Sequence, residues 1–385
     1  MNILFISSGL RYYDSSASTR NQQLVNELSK YANVYSVEFV HDNAKPLLNL
    51  PLRDEKLVFV KGSFRSNTDH VSAKAKRIKM LIRKIGRHLL RDSLFFVDLR
   101  TELIQAIESL ESGQKFDLVI TSSDPVGIHW QYLRIKSCRV AKLQCANYWQ
   151  YWGDPLYGDV NHAAMPWMLF LERYLLSRSN RIFWASLTTC EDKRMTHPSL
   201  SAKMSYLPRV INVPTDLKNK ISLDLHPPIK CVYAGNYFKK SRDIDPLIQA
   251  MSHLPGFSLS IIGNGETDTS VPENVEICGR KSMVESEAIV KESDIAFILA
   301  NRRGTQVPGK VFELAVHPKI VVVLYEYEDN IVGFPFPKRF SFCKNDCEQI
   351  VALLRRSPII QQHVFEEYVV GADSLKTALQ EISAI

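Results

Sequence analysis

Short apolar runs alternate with longer amphipathic stretches along the chain, the pattern of a parallel sheet covered by helices. In the first half, Asn2–Ile6, Val34–Val40, Leu57–Val60, Phe116–Ile120, Lys142–Cys145 and Arg181–Trp184 predict strands, and Arg20–Tyr31 and Asp98–Glu111 predict helices. The pattern breaks after residue 212. Residues 213–228 are polar, hold three prolines and keep no sustained period, which predicts a linker with the hinge near 210–228. A second alternation follows, with strands predicted at Lys230–Ala234, Ser258–Ile262, Val275–Cys278, Ile295–Leu299 and Ile320–Leu324, and helices at Ile244–Ser252, Ser282–Glu292 and Lys310–His317. Two such arrays predict an α/β protein of two Rossmann-like domains, residues 1–212 and 229–365, facing a central cleft, with residues 366–385 as a final helix.

At 385 residues the chain can bury two separate cores. Its seven cysteines are odd in number, lie in apolar stretches and form no Cys-x-x-Cys pair, so reduced thiols are expected rather than disulfides or zinc. The first residues, Met1-Asn-Ile-Leu-Phe-Ile, lack the basic start and long apolar core of a signal peptide and predict a buried strand. No apolar run reaches the ~20 residues that span a bilayer, so a soluble or membrane-associated chain is expected.

The formal net charge of +7 is unevenly placed. Eight cations fall between Lys74 and Arg91 with no acid among them, including Lys79, Arg83, Lys84 and Arg87. Ile78, Leu81, Ile82, Ile85 and Leu89 recur at helical spacing. An apolar stripe beside cations suits an anionic membrane surface, at about 1 kcal/mol per engaged cation. The same run also fits a helix packed on its own domain with a solvated basic face. Nucleic acid is not expected as a partner, because no aromatic platform or recognised motif accompanies the charges.

In open α/β sheets, ligands sit beyond the carboxyl ends of the strands. In the second half those ends read Ala234-Gly235-Asn-Tyr-Phe-Lys239-Lys240-Ser-Arg242, then Ile262-Gly263-Asn-Gly265, then Cys278-Gly279-Arg280. The fourth, after Ile295–Leu299, reads Asn301-Arg-Arg-Gly304-Thr305-Gln-Val-Pro308-Gly309-Lys310-Val-Phe-Glu313. Cations near glycines suit a diphosphate, and Pro308, Gly309 and Lys310 open a helix whose first amides attract anions. Taken singly, each segment also reads as a solvated loop or an ordinary helix start.

In this order the segments resemble the nucleotide-sugar-binding domain of family 4-like GT-B glycosyltransferases of surface-polysaccharide biosynthesis. The resemblance implies that Glu313 grips the donor ribose, that Lys240, Arg242 and Lys310 surround the diphosphate, and that Gly279 and Arg280 lie near the base. It implies a UDP- or GDP-linked donor as substrate and a final helix that folds back on the first domain; no cofactor is expected, and no metal, since the cations can do a metal's work. Many members carry a glutamate eight residues before the ribose glutamate, used on the donor sugar; Thr305 stands at that position here.

The acceptor side of the resemblance falls on Gly9, Arg11 and Arg20, and on Thr121-Ser-Ser-Asp124-Pro, which is similar to a Thr-Ser-Ser-Pro-Pro stretch of a polysaccharide-building subgroup. That subgroup carries an Asp-x-Arg-Asp-x-Trp motif where this chain has Gln144-Cys-Ala-Asn147-Tyr-Trp149. An amide cannot remove a proton. Asp154, His129 and Asp124 remain as candidate catalytic groups, Asp154 in a loop whose Tyr148, Trp149, Tyr151, Trp152 and Tyr157 are expected either to stack on sugars or to pack.

The expected activity is transfer of a hexose-type sugar to a lipid-linked or saccharide acceptor in polysaccharide or lipopolysaccharide assembly, retaining on family grounds. The expected location is cytoplasmic, peripheral on the inner face of the cytoplasmic membrane. The alternatives are a nucleotide-sugar epimerase of the same architecture and a non-catalytic nucleotide-sugar-binding homologue.

Overall fold

The computed structural model of the chain describes residues 1–10, 15–41, 57–62, 93–95, 97–110, 115–123, 125–138, 140–144, 146–160, 164–211, 220–223, 227–356, 359–362 and 366–383. Arg11, Asp124, Lys79, Arg83, Lys84 and Arg87 lie outside the described residues, as does most of the predicted linker. The chain forms two compact units. One comprises Met1–Tyr157, Ala164–Val210 and Ala372–Ile385, the other Gly158–Ala163 and Ile211–Gly371.

The first unit holds a seven-stranded sheet of β1 (Asn2–Ser7), β2 (Asn33–His41), β3 (Leu57–Gly62), β4 (Leu118–Ser122), β5 (Asn147–Trp152), β6 (Arg181–Trp184) and β7 (Met204–Tyr206). All pairs are parallel, in the order β3-β2-β1-β4-β5-β6-β7. Successive residues of β1 serve opposite faces, as a strand's two-residue period requires. Leu4 and Ile6 pack under helices Arg100–Ser109 and Gly127–Lys136. Ile3 and Phe5 pack with Leu24, Val25 and Leu28 of helix Ser16–Leu28, and with Leu375, Ala378 and Leu379 of helix Glu366–Ser383. The final helix therefore returns to the first unit. Burial of its leucines contributes about 2 kcal/mol each, and Arg181 pairs with Glu381 at 2.7 Å.

The second unit repeats the scheme. Strands β9 (Ile229–Ala234), β10 (Phe257–Ile262), β11 (Val275–Gly279), β12 (Ile295–Leu299), β13 (Ile320–Tyr325) and β14 (Ser341–Lys344) form a parallel sheet in the order β11-β10-β9-β12-β13-β14. This is the doubly wound order, with its switch between β9 and β12. A small antiparallel pair joins β8 (Lys220–Leu223) to β15 (Ile359–Gln362).

Two local expectations need correction. Lys142–Cys145 is not a strand: Ala141–Leu143 forms a single 3-10 turn and the strand begins at Asn147. The segment taken for an aromatic loop is therefore β5 itself. Tyr148, Trp149, Tyr151 and Trp152 are buried against both faces of the sheet, where aromatic side chains fit a central parallel strand. They do not form a sugar platform. The first helix also starts earlier than its apolar period suggests, because Ser15 caps it by accepting the Ser18 amide at 3.1 Å.

Candidate functional site

Because the second sheet is parallel, its loop motifs all emerge at one edge. Three of them are stitched together by backbone hydrogen bonds. The Gly235 amide donates to the Ile262 carbonyl at 2.8 Å, and the Gly263 amide to the Gly279 carbonyl at 2.9 Å. Gly263 has φ of 141°, and a Cβ there would stand 2.1 Å from the Gly235 carbonyl oxygen. Its glycine is required by this close loop approach. Gly279 has φ of 66°, while a Cβ on it would meet nothing within 4 Å. There the backbone alone demands glycine, and the space beside it is open. Arg280 follows it and is exposed.

The loops after β9 and β12 flank the switch point, and two side chains of the second bind the first. Buried Asn301 accepts a hydrogen bond from Arg242 Nε at 2.7 Å and donates to the Gln306 carbonyl at 2.8 Å. Arg302 donates through its amide to the Ser241 carbonyl at 2.9 Å and through its guanidinium to the Lys239 carbonyl, and it pairs with Glu326. Lys239 in turn pairs with Asp268. Arg302 and Lys239 are thus committed to protein partners. Lys240 is exposed at the same edge, beside Arg242.

Pro308 and Gly309 lead into the helix Lys310–Ala315, about 1.7 turns long. Lys310 and Glu313 meet each other, Nζ to Oε2 at 2.5 Å, half-buried on the same helical face. The opposite end of this helix is held by fully buried Arg339, whose guanidinium donates to the carbonyls of Ala315 at 2.8 Å, His317 at 2.7 Å and Lys319 at 2.9 Å. A cation there satisfies terminal carbonyls and complements the helix dipole. The loop ahead of the helix is fixed by Gln306, which accepts from the Val160 amide at 2.7 Å and donates to Asp159 at 3.3 Å.

In the first unit, the carboxyl ends of β1, β4 and β5 gather Gly9, Arg20 and Asp154. Asn21 bridges them, donating to the Gly9 carbonyl at 3.0 Å and accepting from Ser122 Oγ at 2.6 Å. Arg20 donates to the Ser123 carbonyl at 3.0 Å and lies 5.3 Å from the Tyr151 ring centre. The Gly153 amide donates to Ser123 Oγ at 2.8 Å, which sets the turn carrying partly exposed Asp154. The Leu10 amide donates to buried Glu38 at 2.8 Å.

His129 does not join this edge. It is 0% exposed, stacks on Trp152 with ring centres 4.5 Å apart, and contacts Thr121 Oγ1 through Nδ1 at 2.6 Å. Gln150 donates to the Tyr148 hydroxyl at 3.0 Å, and Thr121 lies 2.9 Å from that hydroxyl. Every hydroxyl proton is used if Tyr148 donates to Thr121 and Thr121 to Nδ1, which leaves the proton on Nε2. Burial pushes the His129 pKa down to about 3, so the ring stays neutral. As a catalytic candidate His129 is corrected to a core residue, because a proton acceptor sealed from solvent cannot reach a substrate.

Behind the Asp154 turn stands a buried ionic cluster absent from the sequence-based candidates. Glu172, 0% exposed, meets Lys193 Nζ and His197 Nε2 at 3.0 Å each, and accepts from the amides of Leu156 at 2.8 Å and Tyr157 at 2.9 Å. Lys193 and His197 stand four residues apart at the end of helix Leu187–Thr196, a spacing visible in the sequence.

No family model matches the sequence, and no curated protein matches it. Solved structures do match its fold. The pneumococcal O-GlcNAc transferase GtfA, solved with UDP and GlcNAc, aligns over 99% of this chain and 99% of its own, with a TM-score of 0.59 at 9% identity. Anabaena HepE, solved with UDP and glucose, aligns over 100% of both chains with a TM-score of 0.58 at 9% identity. The lipopolysaccharide outer core galactosyltransferase WaaB aligns over 92% of this chain and 90% of its own, at 0.53 and 11%. The chain has the GT-B fold. Its structural neighbours include GT-B glycosyltransferases. Among its described residues no helix is long and apolar enough to cross a membrane.

Within the GT-B frame, the carboxyl edge of the second sheet brings together Gly235, Lys240, Arg242, Gly263, Gly279, Pro308, Gly309, Lys310 and Glu313, with Arg280 at its β11 end. The residues that set their positions, Asn301, Arg302, Gln306 and Arg339, carry no sequence signal of their own. Each acts through a contact made across tens of residues.

Proposed function

We propose that this protein is a glycosyltransferase that moves a hexose-type sugar from a UDP- or GDP-linked donor to a lipid-linked or saccharide acceptor in polysaccharide or lipopolysaccharide assembly. The observation that carries the reading is the switch point of the second unit. There Arg242, held by Asn301, borders the β9 loop, and the paired Lys310 and Glu313 follow the β12 loop. The likeness to proteins solved with UDP and a sugar supports it.

In this reading the diphosphate draws Lys310 from Glu313, and the freed carboxylate accepts hydrogen bonds from the ribose hydroxyls. Lys240 and Arg242 add positive charge, with Arg302 and Lys239 already neutralised by acids. The bond from the sugar's anomeric carbon to the diphosphate breaks, and a bond to the acceptor oxygen forms. Charge develops on the leaving diphosphate, so fixed cations stabilise the transition state more than the ground state. With retention, a donor phosphate oxygen accepts the acceptor's proton and no strong protein base is needed.

Titration calorimetry with UDP- and GDP-sugars tests the reading; absence of binding by every one overturns it. Asp154→Asn separates two roles for that residue. If Asp154 takes the acceptor proton, kcat falls about 100-fold or more with donor affinity unchanged, whereas a retained kcat assigns it to shaping the turn. The basic run belongs to the same proposal as a contact with the inner face of the cytoplasmic membrane. Replacing Arg83, Lys84 and Arg87 with Glu is expected to release the protein from anionic vesicles in a sedimentation assay, and unchanged sedimentation argues for a solvated helix.

A further inference from the structure

The outer side of helix Pro166–Ser177 is unusual for a helix that already buries one face. Met168, Leu175 and Leu176 fill the core beneath it. Yet Phe170 is 71% exposed and Tyr174 42%, with exposed Met165 at the helix start. A helix on a globular surface normally turns polar residues outward. The polar residues that do face outward here are Arg173, Ser177 and Arg178. The helix holds one carboxylate, Glu172, and it is buried in the ionic cluster. The adjoining helix Gly127–Lys136 contains no acid.

Aromatic and cationic groups interleave across this surface. Arg178 lies 4.9 Å from the Tyr174 ring centre, Tyr174 lies 6.3 Å from Trp130, and Trp130 lies 6.2 Å from Phe95. Lys136 donates to the Arg178 carbonyl at 3.1 Å, and Lys203 to the Ser179 carbonyl at 3.0 Å. Burial and then the charges of Lys203 and Arg178 hold the Lys136 pKa below its usual value. Lys136, Arg178 and Lys203 lie near one another here, while Arg134 of the same helix pairs with exposed Asp98 at 3.0 Å. In the sequence, Phe95 follows Arg91, the last cation of the basic run, by four residues.

We infer that helices Gly127–Lys136 and Pro166–Ser177 form a membrane-docking surface whose occupant is an anionic lipid bilayer. Phe170 and Tyr174 enter the headgroup boundary, where amphipathic aromatic rings are favoured. Arg173 and Arg178 meet lipid phosphates. The absence of exposed acid on either helix fits an anionic layer; a second copy of the same face would set like charges together. The inference deepens the membrane part of the proposed function, and takes from that reading only the identity of the occupant.

The test is sedimentation of the full chain with vesicles of phosphatidylcholine, alone or mixed with phosphatidylglycerol. The wild type is expected to bind the mixed vesicles and to bind the neutral ones weakly. Arg173→Glu with Arg178→Glu, and separately Phe170→Ser with Tyr174→Ser, are each expected to weaken partitioning by about tenfold or more, at about 1 kcal/mol for each engaged cation. All four side chains are exposed, so thermal unfolding is expected to stay unchanged and to report loss of fold if it occurs. Wild-type binding by both pairs overturns the inference even if the Arg83, Lys84 and Arg87 variant is released, an outcome that leaves the basic run as the sole contact. Release of both pairs while that triple variant still binds supports the surface and removes the basic run instead. A wild-type dimer that the aromatic pair converts to monomer, with vesicle binding intact, overturns the inference in favour of a second copy.

Discussion

Glu313→Ala is expected to lower kcat/KM about 100-fold or more and to weaken nucleotide binding without unfolding the protein. Two hydrogen bonds from ribose hydroxyls to a charged acceptor contribute about 1.5 kcal/mol each, and their joint loss of about 3 kcal/mol corresponds to roughly two powers of ten. In the structure Glu313 is engaged with Lys310 near the surface, and an ion pair of that kind adds about 0–1 kcal/mol to stability. The melting temperature is therefore expected to move by a few degrees at most. Glu313→Gln keeps two acceptor lone pairs and the side-chain length, so it should retain more activity than the alanine variant. Steady-state kinetics with titration calorimetry read the effect. Wild-type values for the alanine variant would remove Glu313 from the donor site.

Glu172→Ala is expected to act in the opposite way, on stability rather than on one step of turnover. The substitution strands Lys193, 1% exposed, without its carboxylate, and leaves the amides of Leu156 and Tyr157 without an acceptor. Breaking a buried ion pair from one side costs about 3–5 kcal/mol, because the remaining charge is still desolvated. Urea denaturation followed by circular dichroism measures the loss. A difference below about 1 kcal/mol would show that the cluster relaxes or that water enters it. The two amides lie two and three residues beyond Asp154, so surviving activity is expected to show a loosened Asp154 turn as a lower kcat.

Both residues show how unevenly the site is written along the chain. The helix start that carries Glu313 was legible, because Pro308, Gly309 and Lys310 follow an apolar strand and open a helix, a local arrangement with a local reason, whereas a ribose contact for Glu313 was implied only by the resemblance. Glu172 was not legible, since nothing in Phe170-Leu-Glu-Arg distinguishes a buried glutamate from a solvated one. His129 misled in the same manner. A histidine after a Thr-Ser-Ser loop invites a catalytic reading, and only the packing of Trp152, Thr121 and Tyr148 around it shows a neutral core ring. The aromatic cluster at 148–152 carried no strand signal of its own type, because a parallel strand buried on both faces lacks the alternation that marks a half-exposed one.

The sequence by itself determined the two α/β arrays, the strands that carry the glycine loops and the basic run, because each depends on periodicity or charge within a short window. Tertiary structure alone decided which cations are already neutralised, which candidate acid–base groups are sealed in the core, and that Gly158–Ala163 belongs to the second unit. It also put Asn301, Gln306 and Arg339 behind the loops at the carboxyl edge of the second sheet. Those outcomes depend on desolvation and on contacts between distant segments, and neither quantity exists until the chain has folded.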